Sequence, residues 1–198
     1  MQELDKLIEM FGKKDAENLI KYPNIADYML RYYIINEEID YYGFDFEKND
    51  EILSISSTYN GEHMPHSMRH IDKDAEWAKE KMNALVNETR FPSWFEKEDA
   101  SMILEKAFLH NSDIMKKVEE WCRDKDIYFR ERRQLAFTIT STEILGYCMA
   151  RGKADNIYPV HSVRVVLDYT TSIYDGPFVI YAYYPIIMGN DYENIINS

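Results

Sequence analysis

A chain of 198 residues, 45% hydrophobic and 14% aromatic, has enough apolar surface for one domain with a substantial core, or one domain plus a helical extension, which argues against global disorder. The formal charge of −12 is uneven: residues 1–66 carry 14 Asp and Glu against 6 Lys and Arg, a balance of −8, and residues 67–198 carry 21 against 17, a balance of −4. No part is basic overall, which counts against tight, non-specific binding of a polyanion, leaves room for a local phosphate site, and suits a basic partner.

The first sixty residues read as helical and then irregular. In Leu4-Asp5-Lys6-Leu7-Ile8-Glu9-Met10-Phe11 the apolar positions recur at helical spacing, and Gly12 follows as a stop. A second helix is expected from Asn24 or Ile25 to about Glu38, with Ile25, Tyr28, Met29, Tyr32 and Tyr33 on one face. Tyr41 to Phe46 alternates weakly, as a strand would, and Asn60-Gly61 and Met64-Pro65 mark turns. We place a boundary here: a mostly helical N-terminal extension, 1–62, and an α+β domain, 63–198.

Three helices are expected next, at Asp74–Asn87, from about Glu96 to Leu109, and at Asp113–Cys122. Then the period changes. Gln134–Thr140, Ile144–Ala150, Val163–Tyr169 and Phe178–Tyr184 are β-rich runs separated by turn signals, and Asp175-Gly176-Pro177 sets the last two in an antiparallel hairpin. Helices followed by antiparallel strands define an α+β class.

Cys122 and Cys148 do not make a disulfide framework and sit in apolar segments as buried thiols. No cleavable signal and no apolar run near 18 residues is present, so we expect a cytoplasmic protein, or an effector delivered to the cytoplasm, with no membrane partner. The 16 tyrosines suit the core boundary or a groove, since a phenol adds a hydrogen-bonding group to an apolar ring. Walker, Gly-x-Gly-x-x-Gly and Gly-x-Ser-x-Gly motifs are missing, which removes support for nucleotide binding and serine hydrolysis.

Residues in order over more than half of the chain carry a resemblance. His70-Ile71 precedes a helix; Phe95, Ala100, Ile103, Ala107, Asn111, Ile114 and Trp121 follow; Gly146 and Gly152 flank a strand; Val163-Arg164-Val165-Val166-Leu167 and Phe178-Val179-Ile180-Tyr181-Ala182-Tyr183-Tyr184-Pro185 close the pattern. Together they resemble the RNase A-like toxin domains of bacterial contact-dependent growth inhibition (CdiA-type) proteins, from about 70 to 185. The resemblance implies small antiparallel sheets with preceding helices and metal-free RNA cleavage. The family's catalytic histidine falls on His70, and its basic residue on Lys81, with Lys79 also available.

The last strand departs from the family's Thr-Ala-Tyr-Pro ending. Alignment on proline puts Ala182 at the Thr position and Tyr184 at the Tyr position; alignment on Tyr-Ala-Tyr puts Tyr181 and Tyr183 there. Side chains alternate faces along a strand, so the two registers present different residues to a cleft. Asp72 stands where a glycine is usual. These departures would suit a weakened or inactive member.

RNA cleavage by this route needs a base for the ribose 2′-hydroxyl, an acid for the leaving 5′-oxygen and positive or hydrogen-bonding groups on the phosphate. Histidine fits the first two roles because it titrates near neutral pH. Lysine or arginine fits the third, and tyrosine can donate there or stack on a base. His70 as base or acid, Lys81 as phosphate clamp, one of Tyr181, Tyr183 and Tyr184 as donor, and His161 as partner acid form a workable set. Against it stand plainer roles: a turn contact for His70, a solvated helix lysine, core or rim tyrosines, and a strand-edge histidine. His63, His66 and His70 with Glu62 and Asp72 have ligand-like spacing, but Pro65 breaks the helix that would align them, and we expect neither metal nor cofactor. The run Arg130-Glu131-Arg132-Arg133 is the densest positive cluster and reads as an RNA phosphate contact or a solvated connector. The leading expectation is a metal-independent endoribonuclease acting on RNA, tRNA among its candidates, with a cognate immunity or toxin protein as partner. The alternatives are a non-catalytic binding module and an acidic immunity-type inhibitor of a basic nuclease.

Overall fold

The computed structural model describes residues 2–30, 73–83, 92–95, 103, 105–124, 133–150, 153–169, 177–188, 193, 195 and 197. In chain order the elements are α1 (Gln2–Phe11), α2 (Lys13–Leu19), α3 (Ala75–Asn83), β1 (Ser93–Trp94), α4 (Ser112–Cys122), β2 (Gln134–Thr140), β3 (Gly146–Ala150), β4 (Lys153–Val160), β5 (Ser162–Tyr169) and β6 (Phe178–Ile186). Among the described residues, helices and two antiparallel three-stranded sheets, ordered β1-β3-β4 and β2-β5-β6, make this an α+β protein. Among the described residues no helix is long and apolar enough to cross a membrane.

The described elements fall into two compact units. The first holds α1, α2, the helical residues 23–30, α4 and the ends of β5 and β6 at Leu167–Tyr169 and Phe178–Ile180. Gly12, at a φ of 78°, adopts a backbone that a side chain would strain. Its N–H donates to the Ile8 carbonyl at 2.9 Å and its carbonyl accepts from Ala16 at 3.0 Å, so one residue closes α1 and opens α2. The sequence suggests only the stop, because α2 buries just Ala16 and Leu19 and has too few apolar positions to show a period. The second expected helix is present at 23–30, where Ile25, Ala26, Tyr28 and Met29 are buried; its expected continuation to Glu38 lies outside the described residues.

Glu119 on α4 is buried, and its carboxylate accepts the Asn24 backbone N–H at 3.3 Å and the Asn24 amide at 2.9 Å. An N–H in the first turn of a helix has no partner within that helix, so the acidic side chain both satisfies it and meets the positive end of the peptide dipoles. Arg123 completes the arrangement at 3.0 Å from Glu119. Asn111 caps α4 by accepting the Ile114 N–H at 3.1 Å. Before it, Glu105–Leu109 forms a wide turn in which the His110 N–H reaches the Glu105 carbonyl at 3.2 Å, burying Ala107, Phe108 and Leu109. The aromatic centre is Phe178, whose ring lies 4.6 Å from Tyr28, 6.0 Å from Phe108 and 6.4 Å from Trp121.

The second unit holds α3, the β1-β3-β4 sheet, and the parts of β2, β5 and β6 at Ala136–Thr140, Ser162–Val166 and Tyr181–Ile186. Ala78 and Met82 of α3 pack on Trp94 and Met149, while Cys148, Ala150 and Val160 pack with Ile195. Ser93 pairs with Cys148 and Trp94 with Tyr147; on the other side Gly146 pairs with Val160, and the register shifts after Met149. β1 is two residues long and shows no period. β4 carries Pro159, which a strand tolerates at a sheet edge, and β4 is at the edge. Neither strand was expected from the sequence.

Gly146 is required by a close approach. A Cβ there would fall 2.5 Å from the Pro185 ring and 3.0 Å from the Trp94 carbonyl oxygen. The same place is held by the Ser93 hydroxyl, which donates to the Pro185 carbonyl at 2.7 Å. Gly146→Ala is therefore expected to lower stability by about 1–3 kcal/mol in urea unfolding, the usual cost of forcing atoms into a filled space. A midpoint equal to wild type would show that Pro185 yields freely.

Both cysteines are free, and Cys148 is fully buried. Burial, with the nearby charge of Glu119, pushes the Cys122 thiol up to about 12. Only about one Cys122 in ten thousand is then thiolate at pH 8, the reactive form. Iodoacetamide at that pH should label the folded protein far more slowly than the urea-unfolded chain; rapid labelling of folded Cys122 would contradict this.

Candidate functional site

His70, the residue on which the sequence reading centres, lies outside the described residues, as do His63, His66, Glu62 and Asp72. The other five candidates all belong to the second unit. Lys81 stands in the last turn of α3, where the helix period that turns Ala78 and Met82 onto the sheet leaves it exposed. Its ammonium lies 6.0 Å from the centroid of the Trp77 ring one turn earlier, a contact that steadies the side chain without neutralising it. Lys79, the other basic residue considered there, is half-buried.

His161 links β4 to β5 and is half-buried. Its carbonyl accepts the Ser141 N–H at 2.9 Å, and beside it the hydroxyls of Thr140 and Ser162 are 3.0 Å apart. The Ser141 hydroxyl accepts the Glu143 N–H at 3.1 Å. His161 thus belongs to a polar corner where β2 turns away and β5 begins.

Along β6 the three tyrosines differ. Tyr183 is 2% exposed, and its ring centroid is 5.6 Å from that of Phe95 at 44°. Tyr181 and Tyr184 are half-buried. Alternation puts Tyr181 and Tyr183 on one face and Ala182 and Tyr184 on the other.

The basic run ends differently from a solvated connector. Arg133 Nε donates to Asp168 Oδ1 at 3.1 Å, so its charge meets a carboxylate; the other three residues of the run are outside the described residues. Burial raises the Asp168 carboxyl above its ordinary value, and the Arg133 guanidinium pulls it part of the way back.

One residue the sequence reading did not single out is Arg164. It is half-buried on β5, and its Nη1 donates to the Thr138 hydroxyl at 3.2 Å. A lone charge inside the apolar run Val163-Arg164-Val165-Val166-Leu167 was the available signal: in a half-buried strand it has to point away from the hydrocarbon.

The model of the bacterial CdiA-CT RNAse A domain matches residues 66–185, and the chain belongs to that family. None of the curated proteins matches the chain. A solved chain described as a CdiA-CT/CdiI complex from Y. kristensenii 33638 is similar at 18% identity and a TM-score of 0.48, covering 61% of this chain and 96% of that chain.

Because the Asp168 carboxyl is raised, the folded state holds its proton more tightly than the unfolded chain does. Ionisation therefore costs stability, and the cost is absent at low pH and appears as pH rises through the raised value. Asp168→Asn keeps an oxygen acceptor for Arg133 and removes the titrating charge. The melting temperature of the variant, relative to wild type, should rise between pH 3 and pH 7. The opposite trend would mean that the Arg133 attraction outweighs burial.

Proposed function

We propose that this chain is a metal-independent endoribonuclease that cleaves RNA by transphosphorylation, with His70 as general base or acid. The observation that carries this reading is the family match over residues 66–185, which contains every candidate position. A base removes the proton of the ribose 2′-hydroxyl, the 2′-oxygen attacks phosphorus, and the bond to the 5′-oxygen breaks. A 2′,3′-cyclic phosphate forms, and the leaving 5′-oxygen takes one proton from the acid to become a 5′-hydroxyl. His161 is the second proton-transfer group, and Lys81 neutralises charge on the phosphoryl oxygens as it builds. A tyrosine of the last strand donates a hydrogen bond to the phosphate or stacks on a base; the exposure of Tyr181 and Tyr184 favours these two over Tyr183.

In this reading residues 63–198 are the nuclease and residues 1–62, which lie wholly outside the matched segment 66–185, are an extension. The domain acts on RNA, with tRNA as a candidate substrate, in the cytoplasm of the cell it enters. A cognate immunity protein is the expected partner. The net charge of −12 favours a second reading, a non-catalytic module or an inhibitor that caps a basic nuclease, and the replaced Thr-Ala-Tyr-Pro ending points the same way.

The test is incubation of the purified protein with total tRNA in EDTA, beside His70→Ala. Wild type should cleave, leaving cyclic phosphate ends, and the variant should lose at least about a hundredfold in rate, as expected for removal of a general base or acid. Equal cleavage by both proteins, or none by either, would turn the assignment toward the binding module.

A further inference from the structure

We propose that Arg164, held by Thr138 on the hydroxyl-bearing face of the β2-β5-β6 sheet, is a phosphate contact for RNA. The inference rests on the nuclease reading above, and it adds a residue outside that set.

The face is defined by its own side chains. Thr138 meets Arg164 at 3.2 Å and Thr140 meets Ser162 at 3.0 Å, so these four side chains stand on one side of neighbouring strands. Val163, Val165 and Leu167 are buried on the other. Tyr169 and Phe178 both touch Trp121, which places the even positions of β6 on the side of the odd positions of β5. Tyr181 therefore shares the side of Arg164. Ser162 is 1% exposed and its hydroxyl is spent on Thr140, so what this side offers a ligand is the half-buried Arg164 and Thr138 and the exposed Thr140.

Charge distinguishes this place from the rest of the strand. Asp168, on the same side of β5, answers Arg133 at 3.1 Å. Arg164 has no carboxylate within ion-pair distance among the described residues, and its one hydrogen bond there is to a neutral hydroxyl, made by a single nitrogen. The hydroxyl orients the planar group and leaves its charge and further donors for an anion. A guanidinium presents paired donors that match two phosphate oxygens. The two threonine hydroxyls can donate to the same oxygens. In a chain of net charge −12, such a local site, rather than a basic surface, is what attraction of a phosphate requires.

The experiment measures binding of a 2′-O-methyl RNA oligonucleotide, which lacks the nucleophile and is not cleaved, by fluorescence anisotropy over a range of salt. Arg164→Gln should weaken binding by roughly tenfold and lower the salt slope by about one, with the melting temperature held near wild type. Unchanged affinity and slope, or no binding by wild type at all, would overturn the proposal. Should the variant fail to fold, wild-type protein answers the question: the oligonucleotide should protect Arg164 from phenylglyoxal in peptide mass maps, and lack of protection counts against the site. Polyglutamate bound with the same Arg164 dependence would assign the face to an acidic protein and overturn the RNA assignment. Cleavage of unmodified tRNA is followed in parallel. Arg164-dependent binding without cleavage sinks the nuclease reading alone; cleavage with Arg164-independent binding sinks this one alone.

Discussion

The alternation of β5 is the constraint on which the candidate site depends. Val163, Val165 and Leu167 are 0–1% exposed, and the residues that alternate with them, Ser162, Arg164, Val166 and Asp168, must face the other way. A shift of the strand by one residue would drive a guanidinium and a carboxylate into hydrocarbon, at a cost far above any gain in pairing. Burial of three branched side chains therefore sets the register in which Thr138, Thr140, Ser162 and Arg164 share one surface. The polar face is a by-product of the apolar one, and neither can change alone.

Much of this was readable from the residues. Phe95, Ile103, Ala107, Ile114 and Trp121 carried the resemblance, and the structure gives them structural work: Phe95 packs on Tyr183, Ile103, Ala107 and Ile114 are buried, and Trp121 meets Tyr169 and Phe178. Asn111, another of them, is a helix cap. A pattern made of core and cap residues identifies a fold well, because packing limits what can stand at each position. The same pattern says little about chemistry. Whether His161, Lys81 and the tyrosines serve one reaction depends on convergence across strands and helices that no local spacing encodes.

What the sequence left hidden has definite causes. β1 is too short for a period to show, and β4 was obscured by Pro159 and by the polar start Lys153-Ala154-Asp155-Asn156, both tolerable at an edge. α2 followed Gly12 so closely that the glycine suggested an end and concealed a beginning. The Arg133–Asp168 pair joins residues 35 positions apart, and a run of basic residues gives no sign of a carboxylate that distant. Arg164 was passed over because it was read only as part of an apolar strand, although it is the one charge in the run Val163–Leu167.

The position of β6 in the chain has a consequence for biosynthesis. Phe178 is the aromatic centre of one unit, and Tyr183 and Pro185 fit against Phe95 and Gly146 in the other. A ribosome releases the chain from the N-terminal end, so the first unit cannot close until Phe178 has emerged, nor the second until Pro185 has. Pairing of such distant segments is slow because the intervening loop must be ordered first. During elongation the half-built sheets are exposed to chaperones and proteases, and whatever activity the finished fold carries is withheld from the cell that makes it until translation of this segment is complete.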